Sequence, residues 1–471
     1  MRVSFLTVAV LSVALVFAGF STSRSLAAQS DRATDAGDTG TDNAGQPFVP
    51  DEVMLGDPAT SYFSVEISPD MRYMVWQEST GGTPGPVWSC GLDPVDATLI
   101  PPDCRGFRVD GIPLRAAPQW GLDQTGVFFV TVDAAGRFLI VRPTGPSTAK
   151  VETLSTPPDT SRAYPYPTRM AGRAGALIAF LANDTSNRPQ IHVVDTANPG
   201  VVRALTSGPI DFNEGAPSFV VTVFRWFAGT PELTWGFNDK HRRLQIRAVD
   251  LTDFGAAPVA VTAEPHDHVD SFPAILGGER VLVGGIDSTE VGAFYTRDPR
   301  SGTYTIARRI EPNSTFASPM MASSFEPFEW EGRRLASFQV LDGGRKPSES
   351  PAEIWTVDLD TGQTQRISKK RTLYRMDPEY FLGRDEVFVI YYARGLRSTG
   401  FRLYRVRTGI RRSDTRQARP RRPRRNIQAQ RGVATSIPDQ RRDAMDIAGQ
   451  GRGRLWTPTP QEQHLLVHLV T

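Results

Sequence analysis

One phrase returns along this chain: a polar approach, a small residue or proline, an aromatic or aliphatic residue, a turn, and then an apolar strand. It reads Val65-Glu66-Ile67-Ser68-Pro69-Asp70 ahead of residues 73–76, and Pro118-Gln119-Trp120-Gly121-Leu122-Asp123 ahead of 127–132. Further copies begin at Pro167, Pro217, Pro273, Pro319 and Pro378. Anchors spaced by about 50 residues fit a unit of four short strands, three turns and a connector. The expected fold is therefore all-β, a β-propeller of seven blades. A six-bladed ring stays open as the alternative, with Val65 or Pro378 then an accidental match.

The strands within each unit support this reading. The second strand is apolar with little alternation, as in Val127-Phe128-Phe129-Val130, Ala176-Leu177-Ile178-Ala179-Phe180 and Val387-Phe388-Val389-Ile390. A strand packed on both faces reads that way. The third strand stops at an acid, at Asp195, Asp250 and Asp358, each expected to cap a turn into the outer strand. The seventh unit lacks a fourth strand of its own, and the segment 48–55 is apolar enough to supply it and close the ring. Trp76, Trp88, Trp120, Trp226, Trp235, Trp330 and Trp355 are spread over the units and are expected to fill the spaces between blades.

The Ser68-Pro69-Asp70 turn, the Pro118-Gln119-Trp120 phrase and the strand ending at Asp358 resemble the WD40-like repeats of the TolB-type β-propeller family. The resemblance spans about 60–407 and departs from the family turn in placing Met71 where Gly is usual. It implies the fold. It selects no function, because the family includes periplasmic scaffold proteins, peptidase-linked propellers and a few lyases that hold a metal through histidines of several blades.

Outside the repeats the chain changes character. Arg2, the apolar run 3–20 and Ser25-Leu26-Ala27 read as a signal peptide over 1–28, followed by a flexible leader at 29–47. The propeller would then occupy 48–410, and 411–471 an Arg-rich tail expected to be disordered. That tail holds 13 Arg, no Lys and 5 acidic residues, so the net charge of +2 averages a basic tail with an acidic body. The strand pattern ceases at its start and the tail holds no lysine, which raises the idea of a shifted reading frame. Its arginines could engage phosphates, but an exported chain is not expected to meet nucleic acid. The expected setting is periplasmic or secreted, with no transmembrane span in the mature chain and a monomeric state. An oxidising compartment would let Cys90 and Cys104 pair.

Recognisable catalytic equipment is scarce. There is no Gly-x-Ser-x-Gly elbow, Walker loop, dinucleotide fingerprint or His-Glu-x-x-His. The densest polar group is His266-Asp267-His268-Val269-Asp270, in which His266, His268 and Asp270 would share one side of a strand and could ligate a divalent metal. An exposed polar connector is the simpler account, and no cofactor is expected outside the metal reading. Counting three residues back from each anchor selects Tyr62, Arg115, Tyr164, Glu214, Asp270, Phe316 and Arg375. If the anchors are in register, these residues converge near the mouth of the central channel as a ligand or peptide pocket. The expected function is noncatalytic binding of a protein, peptide or envelope component through one face. The alternative is a metal-dependent lyase or hydrolase acting on an acidic saccharide.

Overall fold

Alternate residues of each second strand are committed to opposite neighbours, and this is what builds the ring. Phe128 and Val130 pack with Ile178 and Phe180 of the following unit, while Phe129 between them packs with Tyr73 and Val75 of the preceding one. Ile178 and Phe180 face back in the same way as Leu177, Ala179 and Leu181 face forward to Phe224, Leu233 and Trp235. At the seam Val389, Tyr391 and Ala393 meet Ile354, and Phe388, Ile390 and Tyr392 meet Tyr62, Val65 and Trp76. Apolar runs without polar alternation follow from burial on both faces.

The computed structural model describes residues 50–412, apart from segments that include 101–104, 154–165, 207–223, 263–267 and 343–350. Their strands form seven antiparallel sheets. Named by their innermost strands, the blades begin at Tyr62–Ile67, Gln119–Asp123, Tyr166–Arg169, Phe224–Trp226, His268–Leu276, Met320–Trp330 and Leu373–Leu382. Blade 1 carries a fifth short strand, Ile112–Pro113. Seven blades are thus present, and the six-bladed alternative is excluded.

Closure uses the N-terminal segment. Val53–Leu55 pairs antiparallel with Arg402–Arg411, so that Met54 lies opposite Tyr404 and the first strand becomes the outer strand of blade 7. Beside this seam Glu52 meets the fully buried Arg375, with Arg375 Nε donating to Oε1 at 2.9 Å and Nη2 to Oε2 at 3.2 Å. Tyr391 donates its hydroxyl to the same carboxylate.

The acid-ended third strands behave as expected. Asp195, Asp250 and Asp358 accept from the backbone N–H of Ala197, Thr252 and Thr361 at 3.0, 2.9 and 2.9 Å. In the Ser68-Pro69-Asp70 turn, Ser68 Oγ donates to Asp70 Oδ1 at 2.6 Å and accepts from Tyr73 N–H at 2.9 Å. Met71, standing where the repeat usually has Gly, takes a φ of 56°.

Cys104 lies outside the described residues, and the expected Cys90–Cys104 pairing lies outside them with it. Cys90 is fully buried with Val65 and Trp76, its sulfur 3.7 Å from the Ile100 carbonyl oxygen. Six of the seven tryptophans named above form two groups, and the seventh, Trp88, is partly buried and stacked on Trp76. Trp76, Trp235, Trp330 and Trp355 are buried between or within blades, whereas Trp120 and Trp226 also line a cavity at the centre of the ring.

The segments expected to be a signal peptide and a leader, and the tail beyond residue 412, lie outside the described residues. Among the described residues no helix is long and apolar enough to cross a membrane.

Candidate functional site

Innermost strands of a propeller face the axis, and here four of them are bent by the same device. The ladder between the first and second strands slips between Phe63 and Glu66, Val269 and Phe272, Ser323 and Glu326, and Met376 and Glu379. In three of these bulges the first intervening residue is a non-glycine in the left-handed region: Ser64 at φ 46°, Ser324 at 50° and Asp377 at 57°. Such backbone is costly and is held by the packing around it. Its result is a common position immediately after the bulge, occupied by Glu66, Phe272, Glu326 and Glu379.

These four residues, with their partners from blades 2 and 4, line an open cavity of about 120 Å³. Its polar wall is Glu66, Gln119, Arg225, Glu326, Asp377 and Glu379. Its apolar wall includes Trp120, Trp226, Phe272 and Tyr380. Six blades contribute, so the cavity lies on the axis of the ring. Gln119 Nε2 donates to Glu66 Oε1 at 2.5 Å and Trp120 Nε1 donates to the Glu66 carbonyl at 3.1 Å, joining blade 2 to blade 1. The Arg225 guanidinium lies 4.6 Å from the centre of the Phe272 ring.

Crowding of carboxylates in a partly dry space changes their acidity. Burial, reinforced by repulsion from Asp377, pushes the Glu66 carboxyl up to about 8, against the opposing hydrogen bond from Gln119 and the charge of Arg225. Burial and then the charges of Glu326, Glu66 and Asp377 raise Glu379 well above the usual carboxylate range. Glu379 is 8% exposed and makes neither a hydrogen bond nor an ion pair with the described residues.

The residues singled out in the sequence are placed differently from one another. Tyr62 and Arg375 occupy equivalent pre-bulge positions and are both buried: the Tyr62 hydroxyl accepts from Asp57 N–H at 2.9 Å, and Arg375 holds Glu52. Phe316 is partly buried against the core shared by blades 5 and 6. His268 and Asp270 lie in His268–Leu276, Asp270 within the bulge at the position matching Asp377. Arg115, Tyr164, Glu214 and His266 lie outside the described residues. Among the described residues no group of three or more His, Cys, Asp or Glu is placed to hold a metal.

The cavity residues were missed by counting in the wrong direction. Glu66, Gln119 and Glu379 each directly follow an anchor, namely Val65, Pro118 and Pro378. Their signal in the sequence was an acid or amide at the same place in three units.

No known family pattern matches the chain, and no curated protein matches it. Solved structures do. An oligogalacturonate lyase in complex with manganese is 12% identical, with 79% of this chain and 95% of that one covered and a TM-score of 0.47. U3-55K is 11% identical over 78% and 99% of the two chains, with a TM-score of 0.42. TolB from Acinetobacter baumannii is 13% identical over 78% and 82%, with a TM-score of 0.34. The chain is a seven-bladed β-propeller similar to several kinds of propeller, with an acidic, aromatic-walled cavity on its axis.

Proposed function

We propose that this chain is an exported, noncatalytic propeller that binds a partner protein or peptide by admitting part of it to the axial cavity. The observation that carries the reading is Glu379, a nearly buried carboxyl group lining that cavity that makes no hydrogen bond or ion pair with the described residues. Burying a carboxyl group without a hydrogen bond is costly, and folds keep such costs where a ligand later offsets them. The alternative of a metal-dependent enzyme acting on an acidic saccharide fits less well, since among the described residues no group of three or more His, Cys, Asp or Glu is placed to hold a metal.

The test is selection of peptides from a display library on the full chain, followed by competition with a Gln119→Trp variant that fills the cavity from blade 2. Selected peptides should lose at least tenfold in affinity for the variant. Peptides that bind both proteins equally would move the binding surface off the axis, and a library that yields no binder would sink the reading.

A further inference from the structure

Glu379 lines the axial cavity and makes no hydrogen bond or ion pair with the described residues. What such a group can bind depends on its charge state, and burial decides that. An ionised carboxylate needs donors or a counter-charge when it leaves water, and Glu379 has neither at bonding distance. The neighbouring Glu326, Glu66 and Asp377 oppose ionisation further, and the Arg225 charge is the weakest of these influences. The group facing an occupant is therefore a neutral carboxylic acid. Its pattern of donor and acceptor, not the net charge of the wall, selects what it pairs with.

A neutral carboxyl group carries one O–H donor and one carbonyl acceptor on the same edge. Protein groups differ in how they meet that edge. A backbone amide holds its N–H and C=O on opposite sides, because the peptide bond is trans, and engages only one of the two. An ammonium or guanidinium offers donors alone and leaves the O–H without an acceptor. A primary carboxamide has an acceptor and a donor on one edge and satisfies both at once.

The same wall already holds such a pair: the Gln119 carboxamide donates through Nε2 to Glu66 Oε1 at 2.5 Å. Trp120, Trp226, Phe272 and Tyr380 add apolar surface beside the carboxyl groups, and a drier surrounding strengthens each hydrogen bond made there. Size agrees. A cavity of roughly 150 Å³ takes benzene, so one of about 120 Å³ takes the head of one side chain.

We propose that the axial cavity captures a primary carboxamide, the head of a glutamine or asparagine side chain of a partner protein or peptide, through paired hydrogen bonds with Glu379. This rests on the reading of the cavity as the binding site, and it adds the chemical class of the occupant.

The experiment is calorimetric titration of the full chain, at neutral pH, with capped pentapeptides of otherwise glycine sequence carrying a central glutamine, asparagine, methionine, glutamate or lysine. At least one of the two amide peptides should bind at least tenfold more tightly than the other three. Glu379→Leu should weaken that peptide at least tenfold, with folding checked by circular dichroism. Glu379→Gln restores a donor and an acceptor on one edge without a charge, and should recover the affinity to within threefold. Glu279→Gln, which alters an exposed carboxylate outside the cavity, should leave the affinity unchanged.

Equal binding of amide and methionine peptides, preference for glutamate or lysine, no binding by any of the five, or a loss in Glu379→Gln as deep as in Glu379→Leu would each overturn the carboxamide assignment. If the display library then yields cavity-dependent peptides without glutamine or asparagine, binding at the axis stands and only the occupant is wrong. If it yields no cavity-dependent peptide, the binding reading falls as well.

Discussion

Arg375 and Glu52 form a paired ionic contact across the point where the ring closes, with both guanidinium donors on the two carboxylate oxygens at 2.9 and 3.2 Å. Arg375 is fully buried, and its Nη1 also donates to the Ala352 carbonyl at 3.0 Å, so blades 6 and 7 and the N-terminal segment meet at one side chain. Removing one member leaves the other charge buried and unpaired, which typically costs about 3–5 kcal/mol. Glu52→Ala is therefore expected to lower the unfolding free energy by about that amount and to free the strand Val53–Leu55 from Arg402–Arg411. Denaturant titration gives the first quantity and amide exchange at residues 53–55 the second. Unchanged stability would mean that closure is held by the backbone ladder alone.

Acid should weaken the same seam. Burial alone would raise the Glu52 carboxyl, but the Arg375 hydrogen bond and charge outweigh it, and the net direction is down. A depressed carboxylate adds stability above its unfolded value, near 4.3, and that stability is lost as pH falls through the lower folded value. The wild type should therefore lose stability below about pH 4 more steeply than Glu52→Gln. Parallel acid limbs in thermal melts of the two proteins would refute this.

The cavity carboxylates act with the opposite sign and in a separate window. Glu66 is raised from 4.5 to about 8, so the folded protein keeps a proton that the unfolded chain releases. Stability from this source is complete below about pH 4.5 and is lost as pH rises through about 8. The groups facing Glu66 are Glu326, Asp377, Glu379, Arg225 and Gln119, and none is expected to reverse that slope. Glu379→Gln removes one of the crowded charges and should flatten the decline between pH 5 and 8, raising the melting temperature at pH 8 by a few degrees. A decline as steep in the variant as in the wild type would count against the coupling.

The ring was legible in the sequence because its cause is local: second strands such as Val127-Phe128-Phe129-Val130 must be apolar on both faces to sit between blades. The closing strand was legible for a related reason, an apolar segment left over at one end and a missing strand at the other. The site was not, because the bulges insert extra residues before the axial position and break the alternation from which facing is inferred. Three residues back from Val65 and Pro378 therefore lie Tyr62 and Arg375, turned into packing, while one residue forward lie Glu66 and Glu379 on the axis. Nothing in the residue types Ser64, Ser324 and Asp377 announces a left-handed backbone. In blade 6 the anchor was also misplaced: Glu326, not a neighbour of Pro319, is the counterpart of Glu379. Phe316 entered the list by that slip.

Gly292 marks how tightly blades 5 and 6 are pressed together. A Cβ there would lie 2.7 Å from Phe325 Cζ and 3.2 Å from the Gly284 carbonyl oxygen. Phe325 is fully buried and stacked on Phe338 at 5.0 Å, so it has little freedom to retreat. Gly292→Ala would gain about 0.4–1 kcal/mol from a stiffer unfolded chain, but overpacking of a core costs about 1–3 kcal/mol. The net expectation is a loss of about 1–2 kcal/mol, read from the denaturation midpoint. A stabilised variant would mean that this seam has room to relax.

Phe272 separates the two contributions of the cavity wall. It occupies the post-bulge position that Glu66, Glu326 and Glu379 hold in other blades, is partly buried against the shared core of blades 5 and 6, and carries Arg225 on its ring face. Phe272→Leu keeps apolar volume at the site and removes the ring quadrupole, so its effect on stability should stay below about 1.5 kcal/mol. The contact to Arg225 goes with the ring, and such a contact is worth about 0.5–2 kcal/mol depending on desolvation. Denaturant titration of Phe272→Leu should therefore show a loss of about 0.5–1.5 kcal/mol, and an unchanged midpoint would identify the ring as mere apolar wall.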